Sequence, residues 1–333
     1  MSELPEVAQA LMDPGIYPDA TSKVELMQTQ MSFVFLAGDY VYKIKKPVDL
    51  GYLDYTTLQK RQFYCQREVE LNRRLCPQAY LGVVSLNQDK DVISIDGRGK
   101  TIEYAVKMLH LPQERMLNVL LPKNEVSAEM LSGVARKLSD FHKVAATNDI
   151  ISDFGDLESI ITNTEENFIQ TVRYIGNTIS QKSYRLIKDY TNVFIENNVP
   201  LFYERIADGK IKDCHGDLHA AHICFASDIY IYDCIEFNDR FRYCDTTSEV
   251  AFLAMDLDNY GRTDLSRSFV EAYVQFSGDE DLLQLLDFYK CYRAYVRGKV
   301  ESFKLDDQHI PEEEKKSIQA VAVRYFELAE SYI

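Results

Sequence analysis

The dominant pattern of apolar residues changes close to Leu111-Pro112. Before that point, residues 24–46 and 81–109 are rich in β-branched and aromatic residues and contain turn signals. This pattern predicts an antiparallel β-meander over 24–46 and further strands over 81–109. After it, apolar residues recur at spacings of three and four, which predicts helices with one buried face. The clearest series is Leu131, Val134, Leu138, Phe141 and Val144.

Several segments can be assigned more closely. A helix is predicted over residues 57–76, because Pro77 cannot continue a helix interior. Two more helices are predicted over residues 157–178 and 181–197. Residues 212–237 form a strand-rich segment within this helical part of the chain.

The length of the chain bears on its domain organisation. At 333 residues it exceeds the usual size of a single hydrophobic core, so two lobes are expected. We expect an α+β protein in which residues 1–109 form a small β-sheet lobe with one helix. Residues 110–333 would form a larger, mostly helical lobe.

The net charge of −15 argues against binding to nucleic acid or to anionic membranes. No apolar run approaches the roughly 20 residues that span a bilayer, and the start MSELPEVAQA lacks the features of a secretory signal. The seven cysteines include no CxxC pair and are interpreted as reduced thiols. We therefore expect a cytoplasmic protein with neither nucleic-acid nor membrane partners.

Residues 214–225, CHGDLHAAHICF, hold three of the six histidines. The extended run 229–233 follows across Ala226-Ser227-Asp228, which predicts a hairpin with His222 and Asp233 nearly opposite each other. Alternation would place the Asp233 carboxylate on the apolar face of its strand, where it needs a partner. A metal ion, a buried salt bridge or hydrogen bonds to backbone groups would each meet that need.

The series HGDLHAAH, followed after a hairpin by Asp233, resembles the kinase pattern H-R-D-L-x-x-x-N and D-F-G. It resembles still more closely the HGDL-H-x-x-N form of the aminoglycoside phosphotransferase-like kinases. The segments VYKIKKPVDLGYLDY and YDCIEFNDRFRYCDTTSEVAFLAMDLD resemble the branch of that family sometimes fused to a gluconate-kinase-like domain. The resemblance implies a two-lobed protein-kinase-like fold that binds ATP with Mg²⁺ and phosphorylates a hydroxyl group of a small molecule.

The resemblance also implies roles for residues of this segment. Asp217 would orient or deprotonate the acceptor hydroxyl, and Asp233 would hold the metal that bridges the phosphates. His219 stands where protein kinases have a phosphate-contacting lysine, so it would contact the phosphate or be a solvated loop histidine. His215 would brace the loop.

His222 departs from the family pattern, which has a metal-binding asparagine at this position. Mg²⁺ demands oxygen ligands, whereas imidazole suits softer cations such as Mn²⁺ or Zn²⁺. The metal is therefore Mg²⁺ or Mn²⁺ with His222 as a ligand, or His222 hydrogen-bonds a phosphate instead.

A kinase also needs a cation for the nucleotide phosphates and a carboxylate that holds it. Lys43 and Lys45 share one face of their strand; the resemblance favours Lys43, and we expect Lys45 to be an ordinary exposed lysine. Helical periodicity separates two candidate carboxylates, because Glu68 shares the face of Leu71 while Glu70 lies on a solvated face. Glu68 is the predicted partner of Lys43.

The remaining nucleotide contacts have weaker signals. No glycine-rich phosphate loop is present, so the first turn of the meander, with Thr29 and Ser32, is predicted to supply amides and hydroxyls. Met108 lies near the predicted junction of the lobes, where an adenine would bind. Asp245 is predicted to cap a helix or to steady the catalytic loop. Glu236 is predicted to form a structural salt bridge, with a contact to a second metal or to the acceptor as the alternative.

Two other functions are compatible with these residues. His222 is compatible with a nucleotide-binding pseudokinase, and His215, His219, His222 and Asp233 with a hydrolytic metal centre.

Overall fold

The β-rich first third of the chain forms one antiparallel sheet in the computed structural model, which describes residues 4–19, 21–307 and 310–333. Its strands are β1 (Val24–Gln28), β2 (Ser32–Ala37), β3 (Tyr40–Lys45), β4 (Tyr80–Asp89), β5 (Val92–Ile95) and β6 (Lys100–Leu109). They pair in the order β1-β2-β3-β6-β4-β5. The predicted meander and the later extended runs are confirmed.

The two faces of this sheet have different neighbours. Tyr42 and Ile44 of β3 pack in a core with Ala8 of helix α1 (Glu6–Ala10). The alternate side chains of β3 point to the opposite face, where helix α2 (Leu58–Asn72) lies. Helix α2 ends four residues earlier than predicted.

Helices dominate the rest of the chain. They are α3 (Leu117–Leu120), α4 (Ala128–Val144), α5 (Asp149–Ser152), α6 (Leu157–Thr171), α7 (Gln181–Asn197), α8 (Val199–Ala207), α9 (Asp239–Arg242), α10 (Thr246–Asn259), α11 (Thr263–Ser277), α12 (Leu282–Lys304) and α13 (Glu312–Glu330). Helix α10 is buried from Thr246 to Leu257, as expected of a helix with neighbours on every side.

The predicted buried face of α4 is confirmed at four positions and wrong at Val144. Val144 is 82% exposed, because it is the last residue of the helix and its side chain lies beyond the packed surface. Among the described residues, no helix is both long and apolar enough to cross a membrane.

Short strands interrupt the helical part. They are β7 (Ile211–Asp213), β8 (Ile223–Phe225), β9 (Ile229–Ile231) and β10 (Tyr243–Asp245). Strand β7 pairs with β10, and β8 pairs with β9 in a hairpin that closes around residues 226–228. The predicted hairpin is therefore confirmed.

The described residues form two compact units. The first extends to Met116 and includes 222–239, and the second comprises 117–221 and 240–333. This differs from the predicted division after residue 109, because the β8–β9 hairpin is held by residues just before the helical part. Met116 forms an isolated bridge with Cys224, and Arg115 Nε donates to the Phe225 carbonyl at 2.7 Å.

Candidate active site

Lys43 lies in the inner strand β3, where its neighbours are Val34 of β2 and Val106 of β6. Its Nζ atom lies 3.0 Å from Glu68 Oε1 and 2.8 Å from Asp233 Oδ1. Burial by itself lowers the pKa of Lys43, but the charges of Asp233 and Glu68 outweigh it and raise the pKa above its ordinary value. Three residues predicted to share one site are thus in contact in the first unit.

The expectation that Lys45 is exposed is wrong. Its side chain is 2% exposed, because the face of β3 that carries Lys43 and Lys45 is covered by α2. Lys45 Nζ lies 2.7 Å from Glu68 Oε2, contacts Glu236 Oε1, and lies 3.5 Å from the Tyr55 hydroxyl. Each oxygen of Glu68 therefore pairs with a different lysine.

The predicted salt bridge of Glu236 is confirmed, with Lys45 as its partner. The Tyr55 hydroxyl donates to the same carboxylate at 2.6 Å. Burial raises the pKa of Glu68, whereas Lys43 and Lys45 lower it, and the lowering prevails. The cluster therefore holds two ammonium groups and a charged Glu68.

Asp233 follows the hairpin in an unusual backbone conformation. Strand β9 ends at Ile231, and Asp233 has φ of 63°, in the left-handed region that aspartate tolerates better than most residues. Asp233 therefore lies outside the strand to which the alternation applies. Its side chain is 40% exposed instead of lying on the apolar face. Its amide donates to the Tyr80 hydroxyl at 3.2 Å.

His222 lies across the hairpin end from Asp233, as predicted. Its Nε2 atom is 3.6 Å from Asp233 Oδ2, the oxygen that does not face Lys43. When two ligand atoms occupy neighbouring coordination positions at ~2.1 Å from one cation, they lie ~3 Å apart. His222 and Asp233 could therefore hold a divalent cation with little movement. A nitrogen and an oxygen donor suit Mn²⁺ better than Mg²⁺.

The loop that carries Asp217 is held by a residue that the sequence analysis missed. Glu249 of α10 accepts the amides of His215 and Gly216 at 2.6 and 2.8 Å through one oxygen. Its other oxygen lies 2.7 Å from His142 Nε2, and His142 Nδ1 lies 2.7 Å from the Tyr273 hydroxyl.

The electrostatics of Glu249 follow from these contacts. Burial raises its pKa, but hydrogen bonds from His142 and the Gly216 amide and the charge of His215 lower it to about 2. A permanently charged carboxylate therefore anchors the backbone before Asp217. Nearby, Asp245 caps α10 by accepting the Thr247 amide at 2.7 Å, as predicted.

His219 faces Asp217 in the second unit. The His219 Nε2 and Asp217 Oδ2 atoms are 3.5 Å apart, and His219 Nδ1 accepts the Ala221 amide at 3.3 Å. A neutral His219 therefore carries its proton on Nε2, toward the carboxylate. His219 is 7% exposed, so the alternative of a solvated loop histidine is wrong.

The other predicted nucleotide contacts lie in the sheet. The Thr29 hydroxyl accepts the amides of Met31 and Ser32 at 3.2 and 3.0 Å, so these amides are already bonded within the turn. Met108 is a buried residue of β6 between Val41 and Tyr80. Their roles toward a nucleotide stay predictions.

Relatives of the chain were found by sequence comparison. Proteins of Mycobacterium tuberculosis and Mycobacterium bovis, both described as uncharacterised, are 33% identical to it over 311 residues. The match covers 93% of this chain, which spans 60% of the length of these relatives. No protein-family model matches the chain.

Solved structures share its architecture at low identity. A GDP complex of aminoglycoside 2'-phosphotransferase-IIIa is 12% identical with a TM-score of 0.55, covering 98% of this chain and 99% of its own. A choline/ethanolamine kinase family protein from Mesorhizobium loti is 11% identical with a TM-score of 0.53, covering 97% and 99%. An amicoumacin kinase with AMP-PNP, Ca²⁺ and Ami bound is 12% identical with a TM-score of 0.50, covering 92% and 88%. The chain therefore has the aminoglycoside phosphotransferase-like form of the protein-kinase-like fold, with a β-sheet lobe and a mostly helical lobe.

Proposed function

We propose that this protein transfers the γ-phosphoryl group of ATP to a hydroxyl group of a small molecule. The observation that carries the proposal is the position of the Lys43 ammonium group, in contact with both Glu68 and Asp233. A kinase needs this combination: a cation for the phosphates, a helical carboxylate that orients it, and a second carboxylate for the metal. Proteins of the same fold are described as kinases and phosphotransferases with nucleotides bound.

The proposed roles follow from the chemistry of each group. Lys43 binds the nucleotide phosphates while Glu68 holds it in place, and Asp233 and His222 hold the divalent cation. Bound there, the cation neutralises charge on the phosphates. Asp217 takes the proton of the acceptor hydroxyl while the hydroxyl oxygen forms a bond to the γ-phosphorus and ADP leaves. His219 donates a hydrogen bond to the transferring phosphate or orients Asp217.

A second candidate is a pseudokinase that binds the nucleotide without turnover. The observation that favours it is His222, which brings an imidazole nitrogen to a position 3.6 Å from Asp233. A hydrolytic metal centre has less support, because His215 is completely buried and its Nδ1 accepts the Asp217 amide at 3.3 Å.

Turnover separates the two candidates. Purified protein is incubated for hours with ATP and either Mg²⁺ or Mn²⁺ and with sugars, sugar acids and amino alcohols as acceptors, and ADP is measured. We expect ADP formation that depends on one class of acceptor, with GTP as a parallel donor. Nucleotide binding without acceptor-dependent ADP would instead identify a pseudokinase, and absence of nucleotide binding would rule out both.

A further inference from the structure

Lys45 connects three parts of the first unit through its buried ammonium group. It lies in β3, pairs with Glu68 of α2, and contacts Glu236, which follows Asp233 by three residues. The Tyr55 hydroxyl donates to the same oxygen of Glu236, and Lys45 Nζ lies 4.8 Å from the centre of the Tyr55 ring. These contacts cross-link the sheet, the helix and the segment after the hairpin.

We propose that Lys45 is a positioning residue for the metal ligand Asp233. This inference rests on the proposed function, because it takes Asp233 to hold the cation. Lys45 acts through Glu236 and touches neither the nucleotide nor the cation. A connection of three residues spans at most about 10 Å, so a displacement of Glu236 is transmitted to Asp233.

The backbone of Asp233 explains why such support is needed. Its φ of 63° is a sparsely populated conformation for a residue other than glycine, and surrounding contacts must hold it. On one side the Asp233 amide donates to Tyr80, and the next amide, of Cys234, donates to Asn72 Oδ1 at 2.8 Å. The pair of Lys45 and Glu236 holds the same segment from its other end.

Because the carboxylate of Glu68 pairs with both Lys43 and Lys45, Lys45 has a second effect. When Lys43 moves to the phosphates and Asp233 moves to the cation, the ion pair between them is lost. Glu68 keeps its contacts with both lysines, so Lys45 still connects α2 to Glu236. Helix α2 and the Glu236 segment therefore keep their separation when the nucleotide binds.

The test is a metal titration of the whole protein. The Mg²⁺ concentration that half-saturates ATP binding is measured by calorimetry for wild type, Lys45→Met and Glu236→Gln, and the unfolding midpoint of each is recorded. Lys23→Met is the matched control, because Lys23 is an exposed lysine in the same unit, paired only with exposed Glu25 among the described contacts. ATP turnover gives the KM for Mg²⁺ and kcat separately.

We expect Lys45→Met to raise the half-saturating Mg²⁺ concentration at least about tenfold. Saturating metal should restore most of kcat, and Lys23→Met should match wild type. Because Lys45 and Glu236 act through one connection, the double variant should be less than additive. A lower unfolding midpoint with an unchanged Mg²⁺ requirement would reveal a merely structural role and overturn the proposal.

Two milder variants cover the case in which Lys45→Met fails to fold. Tyr55→Phe removes one donor to Glu236, and Glu236→Gln removes the charge that Lys45 holds. We expect both to raise the Mg²⁺ requirement, and a wild-type requirement in both folded variants overturns the proposal. If the wild-type protein itself binds no Mg²⁺ and ATP, the proposed function fails, which is a result distinct from any difference among variants.

Discussion

Lys43 and Asp233 form an ion pair with 2.8 Å between Nζ and Oδ1, although 190 positions separate them in the sequence. The phosphates of a bound nucleotide would attract the ammonium group of Lys43, and the accompanying cation would attract the carboxylate of Asp233. Ligand binding in the proposed kinase therefore exchanges one ion pair for two charged contacts.

Asp233→Asn should severely weaken metal-dependent nucleotide binding. The amide keeps the shape of the side chain but removes the negative charge, so the Mg²⁺ needed for half-saturation should rise by more than about 100-fold. A thermal-shift titration with ATP and Mg²⁺ measures this. Asp264→Asn is the control, because Asp264 is an exposed residue paired with Arg262; equal titrations for wild type and Asp233→Asn would remove Asp233 from the metal site.

Asp217→Asn should separate binding from chemistry. Its ATP affinity should match wild type, because its carboxylate is assigned to the acceptor hydroxyl, and kcat should fall by about 10² to 10⁴. ADP release at saturating ATP and acceptor measures kcat, and calorimetry measures affinity. Full activity in this variant would contradict the assignment of Asp217 as the base.

His222→Asn should preserve or raise activity supported by Mg²⁺ and should weaken any preference for Mn²⁺. An amide oxygen replaces an imidazole nitrogen near Asp233, and hard cations prefer oxygen. The ratio of ADP formation in Mg²⁺ to that in Mn²⁺ is compared with wild type. A collapse of activity in both metals would show that the imidazole has a task of its own, such as a bond to a phosphate.

Glu249→Gln should destabilise the second unit at neutral pH by about 3–5 kcal/mol, because it removes a buried charge that His142 and two loop amides share. The pKa of Glu249 is lowered from 4.5 to about 2, so its contribution is present above pH 4.5 and is lost as the pH falls toward about 2. The difference in unfolding free energy between wild type and variant should therefore shrink over that range. Urea unfolding at several pH values checks this, and a constant difference would contradict it.

Local patterns predicted much of the fold and several parts of the candidate site. The alternation of β3 placed Lys43 and Lys45 on one face, helical spacing turned Glu68 inward, and the hairpin brought His222 opposite Asp233. Each of these relationships depends on the period of a strand or helix, or on a short turn. They can be read from fewer than twenty consecutive residues.

The wrong or missing assignments concern residues whose surroundings come from distant segments. Glu249 lies 107 positions from His142, and no local signal distinguished it from an ordinary residue in the first turn of a helix. Asp233 lies outside the strand because β9 ends at Ile231. The alternation of side chains does not predict where a strand ends.

The sequence by itself determined the order of strands and helices, the closure of the hairpin, and which side chains share a face, because these follow from backbone periodicity. The tertiary structure alone decided which face of β3 is covered, and hence that Lys45 is buried between Glu68 and Glu236. The physical reason is that burial and ion pairing depend on which surfaces meet. Many weak contacts between residues distant in the sequence decide which surfaces pack together, and no short stretch of residues encodes them.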